Sequence, residues 1–155
     1  MTRLLPKWDQ RFLALAEHVA SWSRDPSTKV GCVIADPLKR VVSLGFNGFA
    51  QRVNDNPERL DDRPIRLRMT LHAEENAVLT AESRRVIGAT CYIWPLLPCA
   101  HCAAVLIQSG ITRVVAPSPS PALLERWGND LDLAREQFTE AGVFFEMVSS
   151  DANTD

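Results

Sequence analysis

Two short segments constrain this chain more than anything else in it: His72-Ala73-Glu74 and Pro98-Cys99-Ala100-His101-Cys102. Each opens a run with helical apolar spacing, Leu71 to Ala81 and Cys99 to Ser109, the second closed by Gly110. Cys99 and Cys102 are three residues apart, so on a helical turn both sulfurs project from one side and can reach a single ion. A helix N-terminus lowers a thiol's pKa, and the thiolate is the form that binds metal. His72 can add a neutral imidazole from the neighbouring helix. Any fold for this chain therefore has to bring two helix starts together.

Two sulfurs and one nitrogen suit zinc. Structural zinc takes four protein ligands, whereas catalytic zinc keeps one position open, and no fourth cysteine lies close enough in sequence to close the set. Cys32 and Cys91 sit in apolar, strand-like runs and read as buried small hydrophobes. Glu74, two residues past His72, falls beside the ion rather than on it. A carboxylate there can take a proton from water and pass it to a leaving group, help typically worth about 10² to 10⁴ in rate. Two thiolates neutralise the formal charge of the ion, so water activation needs Glu74 to complete it. Alone, a C-x-x-C pair is equally compatible with structural zinc or thiol redox chemistry. The two halves together, in this order, are specific.

Around this constellation the chain reads as one domain over residues 1–148, with a flexible polar tail at 149–155. Trp8 to Trp22 predicts an amphipathic helix whose core stripe is Trp8, Phe12, Leu15, Ala16, Val19 and Trp22. Asp25-Pro26-Ser27 marks a turn. The runs Lys29 to Ala35 and Val41 to Phe46 predict an antiparallel hairpin. Asn47 to Met69, polar and carrying Pro57 and Pro64, predicts a long functional loop. Thr90 to Trp94 and Val114 to Ala116 read as strands, Pro117 to Pro121 as a rigid loop, Leu123 to Ala141 as a helix and Val143 to Val148 as a last strand. Helix, hairpin, then strands alternating with helices predict an α/β layered domain whose later strands are at least partly parallel.

Charge narrows the partners. Lys and Arg number 17 against 19 Asp and Glu, and this balance argues against a nucleic-acid partner, which calls for a basic face. No apolar run approaches the roughly 18 residues that span a bilayer, so no membrane is expected. Residues 1–7 lack the apolar core of a signal peptide, and a cytoplasmic location is expected.

Four landmarks carry a family resemblance: Ser23-Arg24-Asp25-Pro26-Ser27-Thr28-Lys29-Val30-Gly31, Gly45-Phe46-Asn47-Gly48, His72-Ala73-Glu74-Glu75-Asn76-Ala77, and Pro98 to Cys102 running on to Leu106-Ile107-Gln108-Ser109-Gly110-Ile111. Over roughly residues 20 to 116 the chain resembles the cytidine and deoxycytidylate deaminase superfamily, nearest its dCMP deaminase branch; H-x-E with a later P-C-x-x-C is the signature of such enzymes. The resemblance implies a three-layer α/β/α fold around a central mixed sheet, and a homo-oligomer, dimer or hexamer. It implies one catalytic Zn²⁺ per chain on His72, Cys99 and Cys102. The implied reaction is hydrolysis at carbon 4 of a free cytosine nucleotide, dCMP to dUMP plus ammonia. Glu74 would protonate the ring nitrogen and then the departing amine.

Asn47 corresponds to the family asparagine that contacts sugar or base; its alternative is a turn asparagine in a left-handed conformation. Arg24 matches a position near the phosphate end of the nucleotide, or is a solvated surface arginine; Lys29 is a weaker candidate. The chain departs from the family at Phe49-Ala50-Gln51-Arg52, where relatives carry Pro-Arg-Gly, which leaves the phosphate contacts and nucleotide regulation open. After Pro117 little family signature remains. Other readings are deamination of another cytosine nucleoside or nucleotide, deamination of RNA or single-stranded DNA, and a non-catalytic zinc-stabilised interaction protein. The last has no use for an unligated Glu74. His101 points away from the face that Cys99 and Cys102 share. Trp94 packs either against a base or into the core.

Overall fold

The computed structural model describes residues 5–149; the start of the N-terminal segment read above and the tail at 150–155 lie outside them. In chain order the elements are α1 (Lys7–Ala20), β1 (Gly31–Ala35), β2 (Val41–Phe46), β3 (Gly48–Phe49), α2 (Pro57–Asp61), α3 (Arg63–Met69), β4 (Thr70–Leu71), α4 (Ala73–Leu79), α5 (Ser83–Val86), β5 (Thr90–Trp94), α6 (Ala100–Ser109), β6 (Arg113–Pro117), α7 (Pro121–Ala141) and β7 (Phe144–Val148). The main sheet runs β2-β1-β5-β6-β7, while β3 and β4 pair separately. A short loop joins β1 to β2, which are antiparallel, and β1 is antiparallel to β5 as well. β5, β6 and β7 are parallel, because each of those connections carries a helix, α6 and then α7. The sheet is therefore mixed, as expected.

Both faces of the sheet are covered. Strand alternation sends Val33, Ala35, Tyr92 and Val115 to one face, where they pack on Phe12, Leu13 and Ala16 of α1. Cys32, Ile34, Cys91, Ile93, Val114 and Ala116 face the other way, onto Ala73 and Ala77 of α4, Ala103 and Leu106 of α6, and Leu131, Ala134 and Phe138 of α7. Two glycines let the helices approach the hairpin backbone. A Cβ on Gly31 would lie 2.0 Å from the Ala16 carbonyl oxygen, and one on Gly45 2.2 Å from that of Ala73. Ser43 of β2 donates to the Ala77 carbonyl at 2.6 Å, and Asn76 to that of Phe46 at 2.8 Å. So α4, which begins just after His72, is pinned to β2 at several points.

On the α1 face the fold buries a polar network. Asp9 is 1% exposed and accepts the Tyr92 hydroxyl at 2.6 Å and both arms of Arg113 at 2.9 and 2.7 Å. Arg113 also reaches Glu146 at 3.0 Å, so the network ties α1 to three neighbouring strands. Burial pushes the Asp9 carboxyl up, but Arg113 and Tyr92 outweigh it and hold the group below its ordinary value.

Two expectations need correction. Trp8 and Trp22 are not core residues: they are 42% and 47% exposed, Trp8 in the first turn of α1 and Trp22 beyond its end at Ala20. Trp8 stacks on Phe12 with Arg11 over its ring, and Trp22 meets His18 and Phe46 edge-on. The stripe that is buried includes Leu13 and Ala20 instead. Residues 47–69 are not one loop, since Pro57 and Pro64 open α2 and α3 rather than breaking structure. Asn56 and Asp62 cap these two helices, accepting the N–H groups of Arg59 and Ile65. The single turn α5 was also unanticipated.

Candidate active site

His72 is the N-cap of α4, and its backbone N–H donates to Glu75 at 3.2 Å. Cys99 is the N-cap of α6, its sulfur accepting the Cys102 N–H at 3.4 Å, and that helix closes on Gly110 in the left-handed conformation. Packing α4 and α6 on the same sheet face brings the caps together. His72 Nδ1 lies 3.5 Å from Cys99 Sγ and 3.2 Å from Cys102 Sγ. All three donor atoms fall within 4.8 Å of one another, and they are the one such cluster among the described residues.

This spacing fits an ion. Zinc bonds of about 2.3 Å to sulfur and about 2.0 Å to nitrogen, at tetrahedral angles, put sulfur and nitrogen about 3.6 Å apart. The electrostatics agree. The Cys102 thiol, and then His72, hold Cys99 well below the usual thiol range. Cys99 in turn raises His72 to about 9 against the pull of burial. A metal ion on that ring would have to displace the proton, so its binding would strengthen as pH rises.

Glu74 follows one residue into α4 and is 4% exposed. Burial pushes its carboxyl up to about 7. It is outside the donor cluster, and among the described residues no Arg or Lys forms an ion pair with it. It lines a cavity together with His72 and Cys99, whose apolar wall includes Val30, Leu96, Leu97, Trp127 and Leu131. The polar wall includes Asn47, Arg63, Arg126 and Asp130.

Of the two proposed substrate contacts, the structure brings one to this cavity. Asn47 is buried on its wall, and its side chain bridges the 28–30 segment, donating to the Thr28 carbonyl at 2.8 Å and accepting the Val30 N–H at 2.9 Å. Its backbone is outside the left-handed region, so the turn explanation does not apply. Arg24 is not on the cavity wall. Ser23 and Asp25 turn inward to hold backbone groups, and Arg24, between them, points outward and pairs with Asp55 at 2.7 Å. Lys29 donates to the Ser23 carbonyl. His101 is exposed and faces Glu75 at 3.9 Å, away from the two sulfurs. Trp94 packs against the α1-side core. Cys32 and Cys91 are free and buried, with sulfurs 3.2 Å apart.

Sequence reasoning missed Arg63, Arg126, Trp127 and Asp130. The first belongs to a helix misread as loop. The others lie on α7, where no local motif marks them and only the crossover from β6 to β7 carries them to the site. No helix among the described residues is long and apolar enough to cross a membrane.

Comparison with known proteins agrees with this geometry. The profile of the cytidine and deoxycytidylate deaminase zinc-binding region matches residues 6–118. The "uncharacterized deaminase in luxG 3′ region" of Aliivibrio fischeri is 45% identical over 141 residues, covering 90% of this chain and 92% of the relative. Human deoxycytidylate deaminase is 31% identical over 147 residues, covering 90% and 78%. The dCMP deaminase of cyanophage S-TIM5, solved in complex with dCMP and dUMP, superposes with a TM-score of 0.70 over 94% of this chain and all of the other. Its identity is 20%, so that likeness is one of fold.

Proposed function

The chain belongs to the cytidine and deoxycytidylate deaminase family, and we propose that it is a zinc-dependent enzyme hydrolysing the exocyclic amine of free dCMP to give dUMP and ammonia. One observation carries this reading: a buried carboxyl with no Arg or Lys paired to it among the described residues shares a cavity with a His/Cys/Cys donor set. His72, Cys99 and Cys102 would hold the ion. When bound, zinc supplies Lewis-acid activation of water. Glu74 then does the proton work. Its carboxyl, raised by burial to about 7, can relay both protons of the water in turn, the first to the ring nitrogen and the second, taken back from the hydroxyl newly formed on carbon 4, to the departing amine.

The remaining walls suit a nucleotide. Leu96, Leu97, Leu131 and Trp127 offer apolar surface to a planar base and exclude bulk water. Asn47 has a second amide N–H left for sugar or base after the bond to Thr28. Arg63 and Arg126 are exposed on the wall and paired with no carboxylate among the described residues, Arg126 instead donating to the Ser27 hydroxyl at 3.1 Å. Guanidinium groups so placed suit a phosphate.

An ultraviolet assay of cytosine, cytidine, deoxycytidine, CMP, dCMP and dCTP, run with zinc and with a chelator, tests this. The expected result is preference for dCMP, activity lost to the chelator and regained with zinc. Preference for unphosphorylated nucleosides would refute the substrate assignment, and no turnover of any compound would refute the reaction.

A further inference from the structure

Both polar groups of one residue in the ligand turn are held by α7. The Ala100 N–H donates to the Asp130 carboxylate at 2.8 Å, and the Ala100 carbonyl accepts the Gln137 side-chain amide at 2.8 Å. We propose that Asp130 and Gln137 are positioning residues for the Cys99–Cys102 turn, fixing how far apart the two sulfurs stand. The inference rests on the zinc reading above and adds residues to it that touch neither ion nor reacting atoms.

The two ligands are not equally well fixed by their own helix. Cys102 lies inside α6 and is set by the helical ladder. Cys99 is the N-cap: its carbonyl takes the first rung of the ladder from the Ala103 N–H at 2.8 Å, but its own backbone is extended, at φ −65° and ψ 167°, and its N–H has no place in that ladder. The N–H of the next residue is one of the orphan donors every helix start leaves. In α6 that donor is taken by Asp130, from another element. Asp130 and Gln137 stand two turns apart on α7 and flank the fully buried Ala134, whose small side chain lets α7 lie close. The grip therefore comes from a packed helix rather than from a loop. Asp130 also adds a negative charge beside a site that takes a cation.

The test is zinc release from the full-length, zinc-loaded protein to the chromophoric chelator 4-(2-pyridylazo)resorcinol, with melting temperature measured in parallel. Asp130→Ala and Gln137→Leu are expected to release zinc about 10- to 100-fold faster. Asp130→Asn keeps an acceptor for the Ala100 N–H and is expected to stay within about threefold of the parent. Because Gln137 is not on the cavity wall, Gln137→Leu should lower kcat and leave KM unchanged. Should Asp130→Ala fail to fold, Gln137→Leu decides alone. Arg113→Ala destabilises the fold from the opposite face of the sheet and touches neither α7 nor Ala100; it should lower the melting temperature and leave the release rate alone. Release at the parent's rate in Asp130→Ala and Gln137→Leu, or equally fast release from Arg113→Ala, overturns the proposal while leaving the zinc reading intact. A parent that binds no zinc overturns both.

Discussion

Glu74 and Asp9 are the two carboxylates this fold buries among the described residues, one on each side of the sheet. Burial is the largest influence on both, and in both it pushes the carboxyl up. Asp9 is answered by an Arg113 fork and a Tyr92 hydroxyl, and ends below its ordinary value. Glu74 has no guanidinium, opens on a cavity, and stays high. Depth alone does not separate a structural acid from a reactive one. The partner does.

The sharpest way to break the comparison is to neutralise each acid's role in turn. Glu74→Gln should cut turnover by about 10² to 10⁴, while zinc content and melting temperature hold; undiminished turnover in the ultraviolet assay would end the parallel. Arg113→Ala strands Asp9 and should cost about 3 to 5 kcal/mol in urea unfolding, with kcat/KM per folded molecule unchanged. Gly45→Ala places a methyl 2.2 Å from the Ala73 carbonyl oxygen, so α4 must shift. A cost of about 1 to 3 kcal/mol is expected, together with reduced kcat, since Glu74 moves with its helix. The smallest effect is one of pH. Asp9 has a lowered folded pKa, so the unfolded chain binds more protons just below 3.8, and stability is lost as pH falls through the folded value. Asp9→Asn should flatten that acid limb, measured as melting temperature against pH.

The metal constellation was legible because its parts are local: each half is a few consecutive residues at a helix start, and chemistry limits what such residues do together. The parallel pairing of the later strands followed from the alternation of strands with helices. The far wall was not legible. Arg126, Trp127 and Asp130 reach the cavity only through the tertiary placement of α7, and nothing in their neighbours' identity announces it. Pro57 and Pro64 were misread because proline both ends helices and opens them, and the deciding signals, Asn56 and Asp62 as caps, are short. Trp8 and Trp22 had the right period, but a period does not say where the helix ends, and α1 stops at Ala20. Arg24 is exposed and paired with Asp55, off the cavity wall, and the motif around it did not say which way it would face.

One rod, α7, meets the cavity through Arg126 and Trp127 and the Cys99–Cys102 turn through Asp130 and Gln137. Anyone redesigning this scaffold for a different ring or a bulkier sugar would reach first for that stretch, as it is a single exchangeable module. Swapping it whole would retune taste and loosen the ion in one stroke. A graft that keeps positions 130 and 137 while varying 126 and 127 separates the two.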